Sequence, residues 1–182
     1  MKNLVYVTQN PNKLADTRRL LPNVNIERTD FEVPEIQSLD PREVAEHKLR
    51  FAYEQTKMSC FVTDTSLFLE CLNDFPGPLV KWYFSKSVGG EKTCEIARLF
   101  GQTGIRWTTV LGYFDGKQSQ FIEETVEGNV PEAPRGKGGY DWDVIFIPRG
   151  EVRTFAEMTF DEKQRYSVTK RLLDNFQNLL AS

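Results

Sequence analysis

Apolar residues fall in short runs along this chain, and the spacing within each run sets the element it predicts. Residues 3–8, with Leu4–Val7 at their centre, read as a buried strand. The run breaks into TQNPNK, where Asn10 caps and Pro11 opens a helix reaching about Leu21. VNIERT (24–29) alternates in polarity as a second strand does. Asp40, Pro41 and Glu43 have the cap, proline and N3 glutamate of a capping box, opening a helix to about Lys57. CFVTD (60–64) is a short apolar strand ending in a carboxylate. DFPGPLVKWYF reads as a turn followed by a helix, and residues 91–100 as another helix. Residues 106–114 and 118–127 flank Asp115-Gly116, a strong hairpin signal. PRGKGGYDWD is a glycine-rich loop, VIFIP a buried strand, and Leu172, Leu173, Phe176, Leu179 and Leu180 form the apolar stripe of a final helix. Strands mixed with helices, plus one long hairpin, predict an α/β fold built on a mixed sheet.

Composition narrows this picture. At 182 residues the chain is one domain or two lobes on one sheet, and 40% hydrophobic residues supply a real core. The net charge is −3, with no block of like charges, so neither duplex nucleic acid nor an anionic membrane is a favoured partner. Any anionic ligand must be met by local basic residues. Cys60, Cys71 and Cys94 are odd in number and lack CxxC spacing, which predicts reduced thiols rather than a disulfide framework. The N-terminal apolar run ends too soon for a signal peptide, and no run approaches the length of a membrane span. The expected location is the cytoplasm.

The usual chemical signatures are missing: no GxxxxGK[ST], no GxGxxG after a strand, no HExxH, and a single histidine, His47. What remains are carboxylates and lysines at turns and loops. Thr8, Asn10 and Lys13 place a hydroxyl, an amide and an ammonium around a helix N-terminus, where backbone N–H groups favour an anion. Asp64 sits among mostly apolar neighbours, which is costly unless it is paired, solvated in a cleft or bound to metal. Glu35 is a second carboxylate candidate, and two hard oxygen donors without a Cys/His pattern suit Mg²⁺ better than Zn²⁺. Lys81 lies in an apolar helix, and Tyr140 and Trp142 sit in a loop whose glycines allow close approach to a ligand.

Taken in order, TQNPNK, VPEIQ, TDTSLFLECLNDFPGPLVKWY, GYDWD before VIFIP, and TFAEMTFDEKQRYS resemble the inosine triphosphate pyrophosphatase family nearly end to end. The resemblance implies an elongated mixed α/β fold with two lobes, the second including the hairpin around 106–127. It implies an active-site cleft between the lobes, and a homodimer. It also implies Mg²⁺-dependent cleavage of the α–β bond of an aberrant purine nucleoside triphosphate such as ITP, dITP or XTP, giving a monophosphate and pyrophosphate. Carried over by motif, Thr8, Asn10 and Lys13 hold the triphosphate. Glu35 and Asp64 bind Mg²⁺ or position water, with Asp64 the base. Lys48 and Lys81 face phosphate or base, Tyr140, Trp142 and Asp143 enclose the base, and Lys163 and Ser167 match the C-terminal EK…S positions.

Three departures from the family, at four positions, stand out. Thr63 stands where the family has a glutamate before the aspartate, and Asp141 stands at a glycine that favours positive φ. Val168 and Thr169 replace a His-Arg pair that reads the 6-keto edge of the purine. These changes leave two alternatives: the same reaction on a different or modified nucleobase, and a nucleotide-binding relative without catalysis. An interaction module built on the Asp115-Gly116 hairpin is a third.

Overall fold

The computed structural model describes residues 2–139, 141–166 and 168–181. Strand β1 (Lys2–Tyr6) pairs in parallel with β2 (Val24–Arg28), Leu4 opposite Ile26, and with β3 (Cys60–Leu69). The parallel pairs are possible because helices α1 (Pro11–Leu20) and α2 (Pro41–Thr56) carry the chain back between them. Strand β4 (Pro76–Gly77) pairs antiparallel with the end of β3. After α3 (Val80–Trp82), a wide helical turn over Tyr83–Ser87 and α4 (Gly89–Phe100), the hairpin strands β5 (Gly104–Phe114) and β6 (Ser119–Asn129) follow. A two-residue β7 (Ile147–Pro148) pairs antiparallel with β6. The sheet order is β2-β1-β3-β5-β6-β7, a mixed sheet in an α/β fold, as the alternation of elements predicts. Short helix α5 (Phe160–Gln164) and α6 (Val168–Ala181) end the chain.

The chain forms two compact units. The first takes residues up to Thr65, Thr109–Glu124 and those from Thr169 onward; the second takes Ser66–Thr108 and Thr125–Val168. The hairpin is therefore divided, its turn end in the first unit and its open end in the second, rather than confined to one. In the first unit, alternation along β1, β3 and β5 sends successive side chains to opposite faces. Tyr6, Phe61, Leu111 and Tyr113 meet Leu172, Leu173, Phe176 and Leu180 of α6 on one face. Val5, Val62 and Val110 meet Ala45, Leu49 and Ala52 of α2 on the other. The second unit packs around Leu67, Leu69, Tyr83, Ile105, Phe146 and Phe155.

Several local expectations are corrected. Asp40 caps α2 through Arg42 N at 2.8 Å, but Glu43 accepts from Ser38 Oγ instead of the Asp40 amide, so no capping box forms there. Reciprocal boxes form instead at Thr154/Glu157 and Thr159/Glu162. Strand β3 does not end at Asp64 but runs on to Leu69. VIFIP is mostly not a strand: residues 141–145 make a 3₁₀ turn, and only Ile147–Pro148 pair. Its apolar side chains are buried all the same, Ile145 and Phe146 completely.

Candidate active site

The turn after β1 is built by its own polar side chains. Thr8 Oγ1 accepts from Asn10 N at 3.1 Å, and Asn10 Oδ1 accepts from Lys13 N at 3.4 Å, capping α1 as expected. Gln9 Nε2 donates to the carbonyls of Thr29 and Phe31, at 3.1 and 2.7 Å, and ties the turn to the loop after β2. Lys13 Nζ reaches the Thr63 carbonyl at 3.4 Å, so the helix start leans over β3 one residue from Asp64.

Asp64 stands mid-strand and is only 8% exposed. Alternation puts it with Val62 on the α2 face, and there Lys48 of α2 meets it: Nζ donates to Asp64 Oδ1 at 2.6 Å and also to Glu35 Oε1. One ammonium thus joins carboxylates 13 and 16 residues away in sequence. Burial alone would push the Lys48 ammonium down, but Asp64 and Glu35 outweigh it and hold it above the usual lysine range. Glu35 remains half-exposed and Asp64 almost enclosed, so the cluster is open on one side.

Thr63 points to the opposite face. Its Oγ1 lies 2.5 Å from Tyr6 Oη, and Tyr6 in turn stacks on Phe61 at 4.5 Å between centroids. The position that departs from the family therefore adds no third carboxylate beside Asp64. It locks β1 to β3 directly beneath the cluster. Sequence reading missed Tyr6 because a buried aromatic in a strand looks like core; its hydroxyl partner is visible only in the fold.

A second pair forms in the other unit. Asp143, buried in the 3₁₀ turn, accepts from Lys163 Nζ of α5. The ammonium also lies over the rings of Phe155 and Trp107, at 5.2 and 5.9 Å. Trp142 meets Trp107 edge to face at 5.9 Å, and its indole Nε1 is buried without a hydrogen-bond partner. Asp141 takes φ 55°, the left-handed conformation its glycine-like position calls for. Trp107 and Phe155, which shape this aromatic wall, were not singled out in the sequence. Tyr140 and Ser167 lie outside the described residues.

Lys81 is exposed on α3, its Nζ 6.0 Å from the Trp82 ring, and joins neither cluster. At the remaining departures Val168 is completely buried, and Arg171 Nε binds Glu124 at 2.9 Å, with Asn175 on the other carboxylate oxygen. Among the described residues no group of three or more His, Cys, Asp and Glu side chains is arranged for a metal. The structure offers instead two hard-oxygen carboxylates converging on one positive charge. That donor set suits a cation that keeps some water and takes further ligands from phosphates, the habit of Mg²⁺.

A profile of the Ham1 family matches residues 4–179. The chain is 35% identical over 179 residues to the dITP/XTP pyrophosphatase of Thermococcus kodakarensis, covering 97% of this chain and 96% of the relative. It is 34% identical over 181 residues to the inosine triphosphate pyrophosphatase of Schizosaccharomyces pombe, covering 96% and 95%. A HAM1 protein from Coxiella burnetii superposes with a TM-score of 0.86 at 26% identity, covering 100% of this chain and 99% of that one. The Staphylococcus aureus Ham1 protein shares the fold with a TM-score of 0.82 at 21% identity, over 99% and 98%. The family profile spans both clusters and nearly the whole chain, in agreement with the motif resemblance: this chain belongs to the Ham1 family.

Proposed function

We propose that this chain hydrolyses aberrant purine nucleoside triphosphates of the ITP, dITP and XTP class to the monophosphate and pyrophosphate. Full-length relatives bearing pyrophosphatase names support the reaction. The observation that carries it to these residues is the Lys48–Glu35–Asp64 cluster beside the α1 N-terminus. In this reading the whole chain, residues 1–182, works as one nucleotide-hydrolysing domain.

Thr8, Asn10 and Lys13 hold the β- and γ-phosphates, where the helix N-terminus adds its own attraction for anions. Glu35 and Asp64 would hold Mg²⁺, which would neutralise phosphate charge and make water more acidic. Asp64 takes the proton from the water that attacks the α-phosphorus, while the α–β bridging bond breaks and pyrophosphate leaves. Lys48 and Lys81 balance the charge that gathers on the leaving group. Trp142 and Asp143 enclose the base with Lys163 beside them, and Tyr140 and Ser167 join this set by motif alone. An acidic protein binding a tetra-anion needs such local cations, which is the physical reason for so many lysines in the set. The same reading makes the protein a cytoplasmic homodimer acting on free nucleotides, with no nucleic-acid or membrane partner. Among the described residues no helix is long and apolar enough to cross a membrane.

The test is pyrophosphate release with Mg²⁺ over ITP, dITP, XTP, dUTP, ATP, GTP and modified nucleotides. Turnover of ITP or XTP well above ATP supports the reading, and no turnover of any member overturns it. A second reading, the same reaction on a different or modified base, is favoured by one observation: buried Val168 and neutral Thr169 present no charged donor to a purine edge. Preference for another member of the panel would select it.

A further inference from the structure

We infer that in the nucleotide-free protein the Lys48 ammonium is the resident cation of the Glu35–Asp64 pair. A divalent metal then takes those carboxylates only after a triphosphate has drawn the ammonium away. This rests on the function proposed above and adds an order of assembly to it: nucleotide, or nucleotide with its metal, before metal alone.

The argument is one of charge and access. Lys48 Nζ already bonds both carboxylates that would serve a metal, and its side chain is 13% exposed. A cation entering between Glu35 and Asp64 must separate both bonds and leave a buried ammonium beside a divalent charge. Like charges at that range repel, and a largely buried charge stripped of its partners is itself costly. Asp64 and Glu35 are the acids that hold Lys48, so a metal that takes both removes the anchors the ammonium has here. A triphosphate supplies another. Phosphate oxygens held at the α1 N-terminus, where Lys13 already reaches across to β3, give Lys48 a new anionic partner and free the carboxylates. The lysine thereby serves two states: it neutralises Asp64 when the site is empty and the phosphates when it is filled.

The experiment is Mn²⁺ binding to nucleotide-free protein, read by loss of the free-ion paramagnetic resonance signal. It compares the unmodified chain with Lys48→Met, Lys48→Arg and the double variant Lys48→Met/Asp64→Asn. Removing the ammonium should raise Mn²⁺ affinity at least about tenfold, Lys48→Arg should not, and the double variant should lose the gain. Equal affinity in the unmodified and Lys48→Met proteins, both folded by circular dichroism, overturns the inference. If Lys48→Met does not fold, ¹⁵N-lysine spectra of the unmodified chain decide instead. The Lys48 resonance, assigned by its loss in Lys48→Arg, should ignore Mg²⁺ alone and shift when a non-hydrolysable ITP analogue is present. A shift with Mg²⁺ alone contradicts the inference. ITP turnover by the unmodified enzyme is measured separately: turnover without the affinity gain sinks the inference alone, and the gain without turnover sinks the functional reading alone.

Discussion

Among the described residues, the lysine–aspartate pairs Lys48–Asp64 and Lys163–Asp143 are both largely buried, and their surroundings are opposite in kind. Lys48 and Asp64 share their site with Glu35, so one ammonium faces two carboxylates and the cluster carries surplus negative charge. Lys163 and Asp143 pair with each other, and the ammonium lies over the faces of Trp107 and Phe155. The first arrangement suits a cation and ionic chemistry. The second suits a flat, uncharged ring that needs one or two directed hydrogen bonds. The same two residue types thus stand in different surroundings, because the third neighbour is an acid in one case and an aromatic in the other.

The sharpest way to break this contrast is Asp64→Asn, which keeps the shape but removes the proposed base and one negative charge. Turnover should fall by about 10²–10³, or 3–4 kcal/mol in the barrier, with the ITP/ATP ratio unchanged. Asp143→Ala probes the other pair by leaving Lys163 unpaired beside aromatic rings. Since Asp143 is buried, urea unfolding should show a loss of about 3 kcal/mol. Less than about 1 kcal/mol would mean that the pair is not held in solution as it is here.

Much of this framework is legible in the sequence, and what is not has physical causes. The β1 turn and the start of α1 can be read because the cap, the proline and the apolar run act locally. The hairpin is equally local: Asp115 Oδ1 accepts from both Lys117 N and Gln118 N, and Gly116 takes φ 97°. The full length of β3 is hidden because Thr63-Asp64-Thr65-Ser66 is a polar stretch, although the strand continues to Leu69. VIFIP misled in the other direction, since an apolar run signals burial but not the backbone conformation that achieves it. At α2, Glu43 accepts from Ser38 Oγ, and the Asp40 amide donates to that same hydroxyl. In the candidate site, the turn residues were visible from cap chemistry, but the meeting of Lys48 with Glu35 and Asp64 depends on two separate crossovers. No local pattern encodes that meeting, and only the family resemblance brought Lys48 forward. The Lys163–Asp143 pair is hidden for the same reason.

Base preference sharpens the comparison at intermediate size. Thr169→Arg adds a charged donor at a position that is neutral here, and should raise the ITP/ATP ratio of kcat/KM by about tenfold. An unchanged ratio would show that Thr169 does not face the base. Val168→His is a poorer probe, because Val168 is completely buried and an imidazole there would need a partner.

Stability against pH separates the same regions by sign. The Lys48 ammonium is held up by its carboxylates, the Cys60 thiol is pushed up to about 12 and the Cys94 thiol to about 11, both by burial. All three are raised, so their contributions are complete below the unfolded values and are lost as pH climbs through the folded ones. Urea midpoints should fall steadily above about pH 9, and Cys60→Ala should flatten that fall. On the acid side Glu162, held near 2 chiefly by the Thr159 amide, contributes above its ordinary value of 4.5 and loses that contribution as pH drops toward 2. The smallest effect expected is Thr159→Ala, which removes one half of the capping box at α5 and should cost about 1 kcal/mol in urea unfolding. A loss above about 2 kcal/mol would mean that α5 supports more of the Lys163 site than its cap alone.

The division of labour between the two pairs is tested most directly by steady-state pyrophosphate release from ITP and ATP in Asp64→Asn and Asp143→Asn, assayed side by side. Asp64→Asn should lose kcat with the ITP/ATP ratio intact, and Asp143→Asn should keep most of kcat while KM for ITP rises and the ratio falls. An Asp64→Asn enzyme with near-normal kcat, or an Asp143→Asn enzyme with unaltered discrimination, would contradict the assignment.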